Sequence, residues 1–96
     1  MKTRLHILNK PVDHPRYRRC LEALEPGDVL VLMESGVLVL MDGAHFPSIM
    51  DDVQVYAMAE DLAVYSRMQA LEADVRPLGY QGLIELVCRL GSPLNW

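Results

Sequence analysis

The stretch "VLVLMESGVLVLM", Val29 to Met41, contains the same five letters twice, separated by Glu34, Ser35 and Gly36. Its first half, from Asp28 to Met33, is a continuous apolar run bounded by turn residues, the pattern of a strand covered on both faces in a parallel sheet. The second half has two readings. Taken locally, the repeat is a β-hairpin with a three-residue loop. Taken with the rest of the chain, it is a short helix or irregular apolar turn that follows a strand. Periodicity alone does not separate the two over so short a run.

The flanking segments supply the context. "RLHIL" (Arg4 to Leu8) predicts a first strand. Asp13 or His14 followed by Pro15 predicts a helix start, because proline in the first turn gives up an N–H that has no helical partner. Tyr17, Cys20, Leu21 and Leu24 then recur at i, i+3, i+4 and i+7, one apolar helical face, and Pro26-Gly27 ends the helix. A third strand is expected over Val53–Ala59, followed by a short helix capped by Glu60-Asp61 and running through Leu62, Val64 and Tyr65. Asp74–Leu78 predicts a fourth strand near a sheet edge, since Pro77 has no N–H to donate to a ladder.

A last helix is expected from Tyr80 to about Leu90. Its one polar stripe is Gln81, Glu85 and Arg89, and its wide apolar arc predicts burial on more than one side. "SPLNW" predicts a final extended piece with a packed aromatic. Strands alternating with helices specify an α/β domain with a mainly parallel sheet.

Ninety-six residues correspond to one domain, residues 1–96, with a modest core. Hydrophobic residues make up 51% of the chain against 23% charged, more apolar surface than one small core hides, which predicts an oligomer or a complex. The net charge of −4 argues against direct binding of nucleic acid, because phosphate contacts need clustered Lys and Arg. No apolar run is long enough for a membrane span, and "MKTRLHILNK" is too polar and short for a signal peptide, so a cytoplasmic protein with no membrane partner is expected.

Cys20 and Cys88 have neither metal nor framework spacing and are read as free thiols. Cys20 lies on an apolar helix face, where packing alone accounts for it. It also follows Arg16 by one turn and Arg19 directly, and nearby cations favour thiolate, the nucleophilic form. Cys20 is therefore the candidate catalytic residue, with Arg16 as its thiolate stabiliser. Cys88, amid Ile84, Val87 and Leu90, is read as an inert core thiol.

His6, His14 and His45 lack a second ligand type at metal spacing and are read as satisfied or solvated, so no metal is expected. Asn9 and Lys10, Glu34 and Ser35, and Glu60 and Asp61 follow expected strands, the end of an α/β sheet where sites form, though loop and cap roles account for them too. "NKPVDHP" contains no glycine, so no phosphate-cradling loop follows the first strand and no cofactor is implied.

"LHILNKP", "LEPGDVLVLMESGV", "VYAMAEDL" and the tail "GYQGLIELVCRLGSPLNW", in this order and spacing and ending on Trp96, together resemble the DsrH/TusB family of sulfur-relay subunits. The resemblance implies a small three-layer α/β/α sandwich, DsrE-like, with a mainly parallel four- to five-stranded sheet, and so favours strand-then-helix for the doubled "VLVLM". It implies the smallest of three related subunits in a heterohexamer. That complex passes persulfide sulfur toward 2-thiolation of tRNA wobble uridine or within dissimilatory sulfur oxidation, with a downstream sulfur-carrier protein as a further partner. The principal carrier cysteine belongs to another subunit, and Cys20 falls where some members have a first-helix cysteine, a secondary sulfur acceptor. The chain departs from the family pattern at "VYSRM" and at Gly79 of "LGYQG".

Two other functions fit the residues. One is a stand-alone persulfide sulfurtransferase in which Cys20 attacks a donor persulfide, which requires a reachable thiol. The other is a small-molecule-binding module on a flavodoxin-like sheet, against which the missing glycine loop counts.

Overall fold

The computed structural model describes residues 3–42, 52–64 and 75–96, with the backbone alone over 39–42. The expected loop position of His45, the helical position of Tyr65, the start of the fourth strand at Asp74 and most of "VYSRM" lie outside the described residues. Five strands, β1 (Leu5–Leu8), β2 (Val29–Leu32), β3 (Gln54–Met58), β4 (Val75–Leu78) and β5 (Leu94–Asn95), form one sheet in the order β4-β3-β2-β1-β5. Every pairing is parallel, with Leu5 opposite Val29, Val29 opposite Gln54, Val55 opposite Val75 and His6 opposite Leu94. β4 lies at one edge, as Pro77 predicts.

Helix α1 (Pro15–Ala23) begins on His14, whose Nδ1 accepts the Arg16 backbone N–H at 3.1 Å, and Pro15 opens its first turn. It ends earlier than Pro26, at Ala23, with the Leu24 N–H returned to the Leu21 carbonyl. Pro26 and Gly27 shape the turn beyond it instead, with Gly27 at φ 92°, a conformation open to glycine without a Cβ penalty. Helix α2 (Ala59–Val64) and helix α3 (Tyr80–Leu90) follow β3 and β4.

The second "VLVLM" is not a strand. It belongs to a 3-10 helix, Glu34–Asp42, so the hairpin reading fails and the strand-then-helix reading holds. β2 is already flanked on both sides by β1 and β3, and no edge is left for an antiparallel return. Glu34 takes φ 52°, which turns the chain out of the sheet, and Gly36 then passes directly over the carbonyl of Leu8. A side chain at Gly36 would occupy the space of that oxygen. Val37, the first residue of the second copy, drops fully buried into the core.

Alternation along the strands divides the core into two layers. Leu8, Leu30, Leu32, Val55, Ala57 and Val75 face α1, the 3-10 helix and α2, which contribute Cys20, Leu24, Val37 and Leu62. Leu5, Ile7, Val29, Val31 and Met58 face Leu86 of α3. Right-handed crossovers account for the division: β1 to β4 are laid down in one direction and keep their helices on one face. The return from β4 to β5 runs the opposite way and puts α3 on the other.

Among the described residues α3 is the only helix of its layer, and it is buried along one side. Leu86 is buried and Leu83, Val87 and Leu90 are partly so, while Ile84 is 61% and Tyr80 56% exposed. Among the described residues burial of α3 is confined to one side, because none of their other helices flanks it on that face.

Candidate functional site

Cys20 reaches the core through the helical spacing that sequence predicts: with Leu24, Tyr17 and Leu21 it forms the face of α1 laid on the sheet. It is wholly buried. Burial pushes its thiol up to about 12, and burial is the only cause. Arg16 is exposed on the solvent side of α1, and no cationic offset lowers the thiol. In the closed fold the neutral thiol is thus the stable form, out of reach of a donor persulfide, and any accepting role for Cys20 requires α1 to lift. Tyr17 is raised too, first by its own burial and then by the neighbouring Cys20.

Cys88 is the reverse. It is exposed, on the outward side of α3, and not the core thiol its apolar neighbours suggest. Those neighbours are close in sequence, but the helix turns Ile84 and Cys88 away from the sheet that Leu86 packs against. Tyr80, Ile84 and Cys88, spaced four apart, make an exposed apolar stripe beside Gln81, Glu85 and Arg89.

Among the described residues the buried polar ones are His6 and Asp28. Asp28 stands just before β2, beside Arg4, and its carboxylate collects donors from two chain segments. Oδ1 accepts the Arg4 backbone N–H at 3.1 Å. Oδ2 accepts His6 Nε2–H at 2.8 Å, the Glu25 backbone N–H at 3.1 Å and the Arg4 guanidinium at 3.3 Å. Burial pushes the Asp28 carboxyl up, but hydrogen bonds from His6, Glu25 and Arg4 outweigh it and hold the group below the ordinary carboxylate value. The same guanidinium donates to the Ala23 carbonyl at 2.7 Å, tying the end of α1 to the start of β1.

On the far side of the imidazole, the Trp96 indole N–H donates to His6 Nδ1 at 3.2 Å. Indole nitrogen only donates, so Nδ1 must carry a lone pair and the ring proton sits on Nε2, aimed at Asp28. The two rings are inclined by 13° with centroids 6.2 Å apart, which with the short N···N distance makes them edge-to-edge and not face-stacked. His6 is thus a satisfied histidine, one of the two states expected of it, with Asp28 and Trp96 as partners that the sequence does not name. The available signal was the alternation in "RLHIL", which puts Arg4, His6 and Leu8 on one face, next to a strand that opens on Asp28.

At the carboxyl ends of the strands, Lys10 Nζ donates to the Asn9 side chain and to the Trp96 carbonyl, and the Glu34 N–H donates to Asp61 Oδ2 at 2.8 Å. These are loop and cap contacts. Among the described residues no three His, Cys, Asp or Glu side chains gather as metal ligands, and no helix is long and apolar enough to cross a membrane. A cleft of about 480 Å³ lies at the other end of the sheet, against Thr3, Arg4, Leu90 and Ser92. Its guanidinium is already engaged by Asp28 and Ala23, which leaves a ligand little charge to meet.

A family model described as "DsrH like protein" matches residues 10–92. The chain belongs to the DsrH family. The DsrH chain is similar to Protein TusB of Shigella dysenteriae serotype 1, at 27% identity over 94 residues, covering 96% of this chain and 99% of that protein. To Protein TusB of Escherichia fergusonii it is 28% identical with the same coverage. Its fold is similar to the solution NMR structure of protein Tm0979 from Thermotoga maritima, with a TM-score of 0.63 and 21% identity over 91% of this chain and 93% of that one. The α/β architecture expected from sequence is thus shared with a solved structure, and the DsrH assignment spans all five strands except β1 and β5.

Proposed function

We propose that this DsrH-family chain is a subunit of a sulfur-relay complex in which its own work is structural. It completes a heterohexamer with two related subunits, while a cysteine on one of them carries the persulfide. The complex delivers sulfur, through a downstream carrier protein, toward 2-thiolation of tRNA wobble uridine, the reading favoured by similarity to proteins named TusB.

The observation that carries this reading is the exposed Tyr80–Ile84–Cys88 stripe on α3, which no other helix of the described residues covers. An outer-sulfur atom on a persulfide is lost to water-borne thiols unless enclosed, and a seam between subunits supplies enclosure without requiring chemistry from every chain. The sealed, unionised Cys20 supports the same division of labour.

Co-expression with the two sister subunits, followed by size-exclusion chromatography, tests this. The chain is expected to elute in a complex containing all three. Elution as a free monomer beside an assembled pair of sisters would overturn it. Intact-mass measurement after treatment with a persulfide donor addresses the stand-alone sulfurtransferase: a gain of one sulfur on the isolated chain, lost in Cys20→Ser, would replace the structural reading.

A further inference from the structure

Trp96 is the only tryptophan in the chain, and it fastens the end of the chain to β1 at two points and to Lys10, just beyond β1, at a third. Its backbone N–H donates to the Ile7 carbonyl at 2.9 Å, its carbonyl accepts from Lys10 Nζ at 3.1 Å, and its indole N–H donates to His6 Nδ1 at 3.2 Å. β5 itself is only two residues long, with Leu94 and Asn95 both exposed. So short a strand gains little from its own ladder or from burial, and the indole contact with His6 and the core beneath α1 is its principal anchor.

That anchor depends on a lone pair. We propose that β5 is a latch released by one proton: when His6 takes up a proton at Nδ1, the Trp96 indole is expelled and β5 leaves β1. The imidazolium would present N–H at both nitrogens. An N–H facing another N–H at this separation has no acceptor between them, and in a buried setting neither donor finds water instead. The added charge itself has a partner, because Nε2 already points at the Asp28 carboxylate at 2.8 Å. Protonation therefore exchanges a neutral hydrogen bond to Trp96 for an ion pair with Asp28.

The groups around His6 are consistent with a single-site event. Asp28 faces it from the head of β2, with the Arg4 guanidinium at 3.3 Å from the same carboxylate oxygen and Glu25 at 3.9 Å from that guanidinium. From α1, Cys20 and Tyr17 belong to the layer above it, and both are held in their neutral forms by burial. From the residue just past β5, the Trp96 indole faces it. The carboxylate favours the proton and the indole opposes it, so occupancy of the latch and protonation of His6 are mutually exclusive. Release would uncover the outer edge of β1 at His6 and Ile7, the two positions that β5 now covers.

The single tryptophan makes the test direct. Fluorescence is followed as the pH is lowered stepwise from neutrality to the onset of acid unfolding, with far-UV circular dichroism recorded alongside. The expected result is a reversible red shift and greater quenching by acrylamide while the circular dichroism stays constant. In His6→Gln, whose amide can donate to Asp28 and accept from Trp96 without titrating, the transition is expected to vanish. Nitrogen-15 NMR of the His6 ring in the unmodified chain is a second readout, should that variant not fold: Nδ1 is expected to gain its proton in step with the fluorescence change. Flat fluorescence while Nδ1 becomes protonated would overturn the proposal. So would a transition that persists in folded His6→Gln, or a His6 ring that stays neutral down to acid unfolding.

Discussion

The α-carbon of Gly36 lies against the carbonyl oxygen of Leu8, so close that no Cβ fits between the two backbones. This contact seats the 3-10 helix on the carboxyl end of β1, where the second "VLVLM" has left the sheet. Backbone cannot rotate aside as a side chain can. Gly36→Ala is expected to cost about 1–3 kcal/mol or more, the range for overpacking a filled site. Urea denaturation would show it as a lowered midpoint with little change in slope, and an unchanged midpoint would contradict the contact.

Asp28 makes stability depend on acidity. Its folded carboxyl titrates below the ordinary value of 3.8, so on acidification the unfolded chain takes up this proton first. The stabilisation is complete above the ordinary value and is lost as pH falls through the lower, folded one. Asp28→Asn removes the charge that Arg4 and His6 are paired with. It is expected to lose roughly 3 kcal/mol at neutral pH, the low end for breaking a buried pair. Its urea midpoint should also decline less steeply below about pH 4 than that of the parent chain.

The two thiols are expected to react at very different rates. Alkylation of the folded chain, followed by intact mass and peptide mapping, should label Cys88 quickly and Cys20 only under denaturing conditions. Cys20→Ser puts a hydroxyl into an apolar layer and is expected to destabilise by about 1–3 kcal/mol. Labelling of Cys20 first, in native buffer, would show that α1 lifts readily.

Ile84→Lys separates folding from assembly. The side chain is 61% exposed, so the isolated chain should keep its stability within about 0.5 kcal/mol, the usual limit for surface positions. Recovery of the sister subunits in a pull-down should fall sharply. Undiminished recovery would move the interface away from α3.

Much of the fold was legible because hydrophobic period and punctuation agreed. Pro15 and the Tyr17, Cys20, Leu21, Leu24 spacing located α1, the apolar run after Asp28 located β2, Pro77 placed β4 at an edge, and α3 spans Tyr80–Leu90 as expected. What periodicity left open or missed was tertiary. "VLVLM" has no intrinsic preference strong enough to resist its surroundings, and the contact that seats its second copy joins Gly36 to Leu8, far apart in the chain. Cys88 faces outward against expectation because apolar sequence neighbours do not establish which way a helix turns when no other helix of the described residues shares its layer. Cys20 was correctly put on the packed face, but the cost of ionising it there depends on a depth of burial that the flanking arginines do not reveal. The His6–Asp28–Trp96 arrangement joins residues from both ends of the chain, and only the parallel register of β1 with β2 and β5 brings them together.

The Pro77 edge bears on how the molecule behaves in a crowded solution. A bare parallel sheet invites copies of itself to add on strand by strand, the route to insoluble polymer. One rim here carries a residue with no amide hydrogen to offer a newcomer, flanked by the charge of Arg76, and the opposite rim is a stub of two residues. Growth in the plane of the sheet is discouraged at both ends, which leaves the helical flank as the face open to other chains.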